Sequence, residues 1–353
     1  PPLSDQEVQG IAKSVGRYTP AMTSAISEDL HFTDAGNAER LRLLYGDDLR
    51  FCPPWGQWLI WDGMRWLRDE NGAITRKAID TVATIWAEHQ QCTDQDRKKA
   101  LGKWALASEN AFRLTAMTNL ASIKHGIYVT PDEIDADPYF LNCLNGTLNL
   151  ESGDFGPHAR AHMISKLVPV EYDANAECPV FEKFLNTIFA GDKELIKFVV
   201  KAIGYSLTGM TSERCIFILH GEGRNGKTTL LLVLLALLDS YALRTPTSTL
   251  MAKRGDSISN DVARLKGARF VAAAETDEGR RLAEAMIKDL TGQDKISARF
   301  LHQEFFDFSP ICKIWLATNH KPEIRGTDRA IWDRIRLIPF NVRISDEDLD
   351  PDL

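Results

Sequence analysis

Short apolar blocks and amphipathic blocks alternate along the second half of the chain, at lengths typical of strands and helices. The apolar blocks predict buried strands over residues 215–219, 269–275, 313–319 and 335–340. The blocks between them predict helices over residues 229–238, 282–290 and 327–332. Buried strands that alternate with helices are typical of a three-layer α/β fold with a central, mostly parallel sheet.

The first half of the chain carries a different pattern. Period-two alternation on either side of Asp62 and Gly63 predicts a hairpin, and Asn145 with Gly146 marks a second one within residues 138–150. Further expected elements are a helix capped by Thr33, helices within residues 75–124, a strand over residues 165–172 and two helices within residues 179–207. These elements predict a smaller α+β domain ahead of the α/β core.

The change of pattern also predicts the domain limits. We expect a linker over residues 1–30, the α+β domain over residues 31–175, the core over residues 176–345 and an acidic tail over residues 346–353. The chain starts without methionine and stops in a charged segment, so we expect a fragment of a larger protein.

A cluster of tryptophans in the first half allows two interpretations. Trp55, Trp58, Trp61 and Trp66 lie within twelve residues. Exposed aromatic rings stack on the bases of single-stranded nucleic acid. Packing of a small sheet is the commoner use of such residues, and we favour it here.

Composition narrows the classes of protein. The 353 residues are 44 % hydrophobic and 26 % charged, with a formal net charge of −7. This charge argues against a uniformly basic protein that coats nucleic acid, but it allows a local basic channel. Six scattered cysteines without a C-x-x-C pair indicate reduced thiols, and we expect a reducing, cytoplasmic location in a bacterial or host cell. The most apolar run, residues 230–238, is too short to cross a bilayer, so no membrane partner is expected.

The clearest chemical signal is a glycine-rich loop between the first predicted core strand and the helix that follows it. Residues 221–228 fit the phosphate-loop pattern G-x-x-x-x-G-K-[ST]. Backbone N–H groups of such a loop hold phosphate oxygens, the lysine reaches the β- and γ-phosphates, and the hydroxyl holds Mg²⁺. We therefore expect ATP and Mg²⁺ as ligands, with Lys227 and Thr228 in these two roles. The residues expected at the nucleotide are Gly221, Gly223, Arg224, Asn225, Gly226, Lys227, Thr228 and Thr229.

Polar residues end the next two predicted core strands. Glu275 follows one strand and is expected to hold the metal's water shell or to orient the attacking water. Thr276 stands where many such ATPases have a second acid, so Asp277 and Glu278 remain alternatives for a further carboxylate. Asn319 ends the following strand, where an amide is suited to bind the γ-phosphate and the attacking water.

Two arginines, Arg329 and Arg334, precede the last predicted strand. Phosphoryl transfer needs positive charge on its transition state, and a neighbouring subunit can supply an arginine for this purpose. Surface ion pairs with Asp328 or Asp333 are the alternative. Between the Glu275 and Asn319 strands, residues 295–308 predict a hairpin with Arg299 and His302 near its tip, suited to grip nucleic-acid phosphates, or else an ordinary surface hairpin.

Taken together, these motifs resemble the superfamily-three helicase domain of phage, plasmid and viral primase-helicases, the poxvirus-type primase C-terminal family. The matching segments are residues 144–153, 204–209, 221–229, 275–279, 290–292, 317–322 and 332–340. The resemblance implies an AAA+-like ATPase that forms a hexameric ring and moves along single-stranded DNA.

The resemblance also implies roles for single residues. Lys227, Glu275, Asn319 and Arg334 would be catalytic, with Arg329 as the second choice for the arginine that acts on a neighbouring subunit. Thr228 and Glu275 would hold the metal, and Arg299 and His302 would contact DNA. The lysine that the family usually has at the hairpin tip has no evident counterpart in this sequence.

The sequence therefore predicts an ATP-dependent DNA helicase or translocase for replication of a phage, plasmid or other mobile element. Its expected partners are single-stranded or forked DNA, further copies of the chain, and a primase or polymerase. The main alternative is an ATPase that loads or recruits another replication factor without unwinding DNA. Two others are an assembly platform in residues 31–175 and, more distantly, a small-molecule kinase.

Overall fold

The computed structural model describes residues 30–252, 260–274, 280–301, 304–326 and 328–345. The chain forms two compact units. Of the described residues, the first unit comprises those up to Ala136 together with Met163–Ser165, and the second comprises Asp137–His162 and those from Lys166 onward. The division lies earlier than the predicted one at residue 175, because the hairpin of residues 140–149 groups with the second unit. The predicted domain limits themselves stay a prediction.

The first unit combines helices with a small antiparallel sheet, as the α+β pattern predicts. Its helices are α1 (Asp34–Tyr45), α2 (Ala73–Gln91), α3 (Gln95–Ser108) and α4 (Ala111–Ala121). Its sheet has the order β1 (Leu49–Cys52), β2 (Gln57–Trp61), β3 (Trp66–Arg68). The Thr33 hydroxyl accepts a hydrogen bond from the Gly36 N–H, which confirms the predicted cap of α1. Asp62 accepts bonds from the N–H groups of Met64 and Arg65, which closes the predicted hairpin between β2 and β3.

The tryptophan cluster packs this small sheet. Trp66 is almost fully buried, and its ring lies 5.6 Å from that of Trp61. The Trp58 ring lies 5.1 Å from Phe51, and the Arg68 guanidinium lies over the Trp55 ring. The rings are therefore used within the unit, which favours the packing interpretation over base stacking.

The second unit begins with a small sheet and two helices. The sheet has the order β4 (Phe140–Cys143), β5 (Gly146–Asn149), β6 (Phe155–Gly156), and the first two strands form the hairpin predicted at Asn145 and Gly146. Two helices follow, α5 (Pro179–Ile188) and α6 (Lys193–Leu207), as predicted. The strand predicted over residues 165–172 was wrong. The Ser240 hydroxyl bonds to the N–H and the carbonyl of Leu167, and the Ser240 carbonyl accepts from the Lys166 ammonium. Val168 and Val170 make single backbone bonds to Asn142 and Leu144, so the segment follows β4 without forming a regular strand.

A five-stranded parallel sheet forms the centre of the second unit. Its order is β13 (Ile335–Pro339), β7 (Ile216–His220), β12 (Lys313–Thr318), β9 (Phe270–Ala274), β8 (Ala242–Arg244). The remaining elements are α7 (Lys227–Leu238), α8 (Asn260–Ala263), α9 (Glu284–Thr291), β10 (Ile296–Ala298), β11 (Phe306–Phe308) and α10 (Arg329–Trp332). The predicted α/β fold class is thereby confirmed.

The alternation of side chains along β7 explains the layers. Phe217 and Leu219 face one hydrophobic core, which contains the buried leucines of α7. Ile216 and Ile218 face a second core, which contains Ile287 and Leu290 of α9. Both faces of the sheet are therefore covered, as a parallel sheet requires. In the described part of the chain, no helix is both long enough and apolar enough to span a membrane.

Candidate active site

A glycine loop joins the carboxyl end of β7 to the first turn of α7. Gly226 is the N-cap residue of α7 and has a φ of +83°, in the left-handed region that glycine adopts without strain. A Cβ at this position would lie only 2.5 Å from Cγ2 of Ile188. The first N–H groups of a helix have no partner within it and carry positive potential, so the loop is suited to bind an anion.

Gly223 is under no such constraint. A Cβ added there would meet no atom within 4 Å, and its φ lies outside the left-handed region. Nothing in the fold therefore requires glycine at this position, and the predicted close approach of Gly223 to a phosphate stays a prediction. Arg224 is exposed and has a φ of +51°.

Lys227 is held inside the loop. Its side chain is buried, and its ammonium donates hydrogen bonds to the Gly221 carbonyl and to Oδ1 of Asn225, the latter at 2.9 Å. Burial lowers the pKa of Lys227 from its ordinary value. A buried ammonium with two neutral acceptors and no carboxylate among these bonds is well placed to receive an anionic ligand.

The metal assignment rests on residues at the start of α7 and the end of β9. Thr228 lies in the first turn of α7 and is exposed, and Thr229 is half-buried. Glu275 lies outside the described residues, as do Asp277 and Glu278, the two candidates for a further carboxylate. Ala274, the last residue of β9, directly precedes Glu275. Within the described ranges there is no cluster of three or more His, Cys, Asp and Glu residues suited to bind a metal. An exposed hydroxyl in the first turn after a phosphate loop fits Mg²⁺ that takes its other ligands from phosphates and water.

Asn319 lies beside the loop. It directly follows β12, whose last residue Thr318 pairs with His220 of β7. The Gly221 N–H points to the Thr318 carbonyl at 3.4 Å, so the loop begins next to the end of β12. Asn319 is exposed at this carboxyl edge, and the sheet therefore brings it together with Lys227 as the sequence predicts.

The pattern of the sequence gave no sign of His220, which also lies at this edge. Burial lowers the pKa of His220, with further contributions from the positive charges of Lys321 and Lys227. A backbone hydrogen bond to Asn319 acts in the opposite direction. His220 is thereby favoured in its neutral form next to the start of the loop.

Arg334 lies at the amino-terminal ends of the parallel strands, opposite the ends that carry the phosphate loop. It precedes β13, and its carbonyl accepts a hydrogen bond from the Ile216 N–H at the amino end of β7. The five residues of β7 separate that end from the loop by about 16 Å. The Arg334 guanidinium donates to Oγ1 of Thr291 at 3.1 Å and to the Ala330 carbonyl at 2.6 Å. Arg329 is fully exposed and lies 3.7 Å from Asp333, in the surface ion pair that the alternative interpretation expects.

A cleft of about 570 Å³ lies around Arg334, and we name it the Arg334 cleft. Its polar lining consists of cationic, acidic and neutral side chains, namely Arg214, Lys288, Lys295, Arg334, Asp289, Asp294, Gln293 and Ser297. Sequence reasoning missed this group, because Arg214 and Lys288 are far from Arg334 in the chain and meet it only through the order of the strands. The cleft thus offers both cationic and acidic groups near the amino-terminal ends of the strands.

A second cleft, of about 510 Å³, lies beside the phosphate loop, and we name it the loop cleft. One wall is His220 and the first part of the loop, and the other is the segment after β13, from Phe340 to Arg343. This space lies on the β13 side of β7, whereas Asn319 and the end of β9 lie on the other side.

The predicted hairpin is present between β10 and β11. Ile296 pairs with Phe308, and Ser297 donates a hydrogen bond to Asp307 across the two strands. Arg299 follows β10, is exposed, and lies with its guanidinium 4.8 Å from the centre of the Phe305 ring. His302 lies outside the described residues.

Comparison with protein families adds independent information to this geometry. Residues 38–190 match the family described as D5 N terminal like. Residues 219–334, which contain the loop, Asn319 and Arg334, match a family of unknown function, DUF5906.

Two similar proteins come from viruses. A protein of Acanthamoeba polyphaga mimivirus named "Putative helicase" is 27 % identical over 307 residues, which are 81 % of this chain and 32 % of that protein. A protein of Frog virus 3 with the same kind of name is 26 % identical over 163 residues, 44 % of this chain and 17 % of its own. The chain thus spans about a third or less of these relatives. The predicted relationship to viral helicases is confirmed.

One solved structure has a similar fold. The apo structure of the NrS-1 C-terminal region superimposes with a TM-score of 0.50 at 11 % identity, over 88 % of this chain and 63 % of that one. At this identity the likeness concerns the fold alone.

Proposed function

We propose that this chain is the ATP-driven core of a DNA helicase or translocase that acts as a hexameric ring in the replication of a phage, plasmid or other mobile element. The observation that carries the proposal is that the predicted site residues lie at opposite ends of the strands of one parallel sheet. Lys227 and Asn319 lie at the carboxyl edge, and Arg334 lies at the amino edge. A nucleotide held by the loop therefore needs its arginine from another copy of the chain.

The phosphate loop would bind the triphosphate of ATP. The N–H groups at the start of α7 would hold phosphate oxygens. Lys227 would keep its bond to Asn225, give up its bond to the Gly221 carbonyl, and use its other two N–H donors for the β- and γ-phosphates. Mg²⁺, bound to the Thr228 hydroxyl and through water to Glu275, would neutralise charge on the phosphates. Because Asn319 lies on the β12 side of β7, the γ-phosphate would point that way, and the nucleoside would lie towards the loop cleft.

Hydrolysis would need groups that act on the γ-phosphate. Asn319 would bind the γ-phosphate and the attacking water, and Glu275 would orient that water. Arg334 of one subunit would reach the nucleotide of its neighbour and stabilise the charge of the transition state, with Arg329 as the alternative. The neutral bonding partners of Arg334 support this assignment over Arg329, which already has a carboxylate partner.

The hairpin would couple hydrolysis to DNA. Arg299 and His302 would contact the backbone of single-stranded or forked DNA, and the exposed Phe305 ring next to Arg299 would add an aromatic surface. In a ring, such hairpins would line the central channel. A primase or polymerase is the further partner that a replication role implies.

The substitution Lys227→Ala tests the proposal. We expect ATP hydrolysis and the unwinding of a forked DNA to fall at least 100-fold, as loss of the principal phosphate ligand predicts. Lys193→Ala, at the exposed start of α6, is the matched control and should retain both activities. Unwinding by the Lys227 variant would refute the proposal. ATP hydrolysis by the wild type without unwinding would favour the loader alternative. Native mass with a non-hydrolysable ATP analogue would show whether the ring forms.

A further inference from the structure

Asn225 is a buried amide in the phosphate loop with two well-defined bonds. Only 3 % of its surface is exposed. Its Oδ1 accepts a hydrogen bond from the Lys227 ammonium at 2.9 Å, and its Nδ2 donates to the Phe340 carbonyl at 3.1 Å. The loop pattern leaves this position free, so cradling of a phosphate does not by itself call for asparagine. Buried side-chain amides in proteins usually have hydrogen-bond partners for both the oxygen and the nitrogen, as Asn225 has.

The Phe340 carbonyl belongs to the segment that leaves β13. The Phe340 N–H donates to the His220 carbonyl at 2.7 Å, and the Ile344 N–H donates to the Arg224 carbonyl at 2.8 Å. Together with the Asn225 amide, these bonds hold the loop against the carboxyl end of β13. Arg334 directly precedes the other end of β13.

The surroundings of Gly221 show how closely the phosphate loop approaches the end of β13. A Cβ at Gly221 would lie 2.1 Å from the Phe340 oxygen and 2.6 Å from Nδ2 of Asn225. A methyl group there would therefore intrude between the donor and the acceptor of the bond that Asn225 makes to β13. The substitution Gly221→Ala retains the Asn225 side chain but forces its Nδ2 and the Phe340 carbonyl to shift, so it disturbs their bond from a second residue.

We propose that Asn225 is a positioning residue, which aligns the Lys227 ammonium with the β- and γ-phosphates by fixing it to the end of β13. One side chain thereby links the lysine that binds the nucleotide to the strand whose other end bears Arg334. The proposal deepens the proposed function and rests on it for the identity of the nucleotide.

The test is nucleotide affinity measured by calorimetry with ATP in the presence of a chelator, so that no hydrolysis occurs, and with ADP and AMP. A misplaced Lys227 loses contact with the β- and γ-phosphates but not with the rest of the nucleotide. In Asn225→Ala we expect the ratio of ATP affinity to AMP affinity to fall about tenfold, as the loss of one hydrogen bond to a charged group predicts. Asn186→Ala, which removes an exposed asparagine bonded within α5, should keep the wild-type ratio.

A purely structural role would give a different result, because partial unfolding lowers the number of binding sites and the melting temperature but not a ratio of affinities. The proposal is wrong if Asn225→Ala keeps the ratio. A double-mutant cycle with Gly221→Ala identifies the bond. If both substitutions act by breaking the Asn225–Phe340 bond, the double variant should lose no more than Asn225→Ala alone, whereas additive losses would contradict the link to β13. Should Gly221→Ala not fold, the ratio for Asn225→Ala still decides.

These measurements need neither DNA nor a ring, so they fail independently of the helicase proposal. A wild-type chain that binds no ATP would refute the proposed function. A wild-type chain that binds ATP, with an Asn225→Ala variant that binds nucleotides in the same ratio, would refute only the role of Asn225.

Discussion

Arg334 and Lys227 lie at opposite ends of two neighbouring parallel strands, β7 and β13. The Arg334 carbonyl is hydrogen-bonded to the amino end of β7, and Lys227 follows the loop at the carboxyl end of β7. The distance of about 16 Å along β7 keeps the Arg334 guanidinium away from a phosphate held by Lys227 of the same chain. A role for Arg334 in hydrolysis thus requires a second copy.

Removal of Arg334 should impair hydrolysis more than binding. In Arg334→Ala we expect ATP affinity within a few-fold of the wild type and a fall of kcat by about 10³-fold, the size of effect typical of an arginine supplied by a neighbour. Arg329→Ala is the matched control, because Arg329 is exposed and paired with Asp333, and it should retain most of kcat. Steady-state hydrolysis with separate nucleotide binding distinguishes the two constants.

Mixing variants tests whether the site is shared. Arg334→Ala and Lys227→Ala subunits together can assemble sites in which an intact loop faces an intact arginine, so part of the hydrolysis should return. A larger loss of kcat in Arg329→Ala than in Arg334→Ala would reverse the assignment of the two arginines.

The strands that carry the site were predictable because burial leaves a simple signature. Phe217 and Leu219 face one core and Ile216 and Ile218 face the other, so β7 is apolar at every position and the pattern is unambiguous. The loop glycines and Lys227 were equally plain, because phosphate binding constrains local sequence. By contrast, β8 is three residues long, lies at the edge of the sheet and is only partly buried, so no apolar run marks it.

Contacts between distant parts of the chain were beyond this kind of reasoning. Asn225 and Phe340 are 115 positions apart, and their hydrogen bond follows from the order of β13 and β7 in the sheet. Arg214 and Lys288 reach the Arg334 cleft for the same reason. The strand predicted over residues 165–172 fails at Leu167, because the N–H and the carbonyl of this residue both bond to the Ser240 hydroxyl, 73 positions away.

The exposed hairpin should contribute to DNA binding through Arg299. A variant that makes one phosphate contact fewer releases about one counterion fewer when it binds DNA. In Arg299→Ala, the slope of log affinity against log salt should therefore become less steep by about 0.7 for single-stranded DNA. Fluorescence anisotropy with labelled DNA at several salt concentrations measures the slope. Arg325→Ala, exposed and paired with Glu323, is the matched control. An equal change in both variants would show a general charge effect and no special role for the hairpin.

Lys313 should make stability depend on pH. Its ammonium donates to the carbonyls of Thr208, Met210 and Ile311, and burial lowers the pKa of Lys313 to about 7, with nearby Arg269 adding to the shift. The unfolded chain retains the lysine proton up to its ordinary pKa of 10.5. Unfolding above pH 7 therefore takes up a proton, and the free energy of unfolding should rise with pH, by up to about 1.4 kcal/mol per pH unit.

Urea unfolding between about pH 7 and pH 8 measures this slope, below the range in which cysteine thiols ionise. Lys313→Met should be less stable at every pH, because three carbonyls lose a donor, but it should lack the upward slope that Lys313 contributes. The same slope in both proteins would show that another group titrates. Lys288→Met is the control, since Lys288 is partly exposed and paired with Asp328.

The first unit contains a buried ion pair whose disruption should be costly. Arg40 of α1 donates a hydrogen bond to Glu88 of α2, and the two side chains are only 1 % and 4 % exposed. Burial raises the pKa of Glu88. Arg40→Met leaves the Glu88 carboxylate buried without its cation, so the free energy of unfolding should fall by about 3–5 kcal/mol. Arg42→Met on the same helix breaks only the partly exposed pair with Glu39 and should cost at most about 1 kcal/mol.

The double variant Arg40→Met, Glu88→Met separates the value of the pair from the cost of an orphaned charge. Replacement of both partners by apolar side chains removes the uncompensated carboxylate, so most of the stability lost in Arg40→Met should return. Urea unfolding of the single and double variants measures the free energy of unfolding of each protein. A double variant as unstable as Arg40→Met would mean that shape and packing at this site matter more than charge.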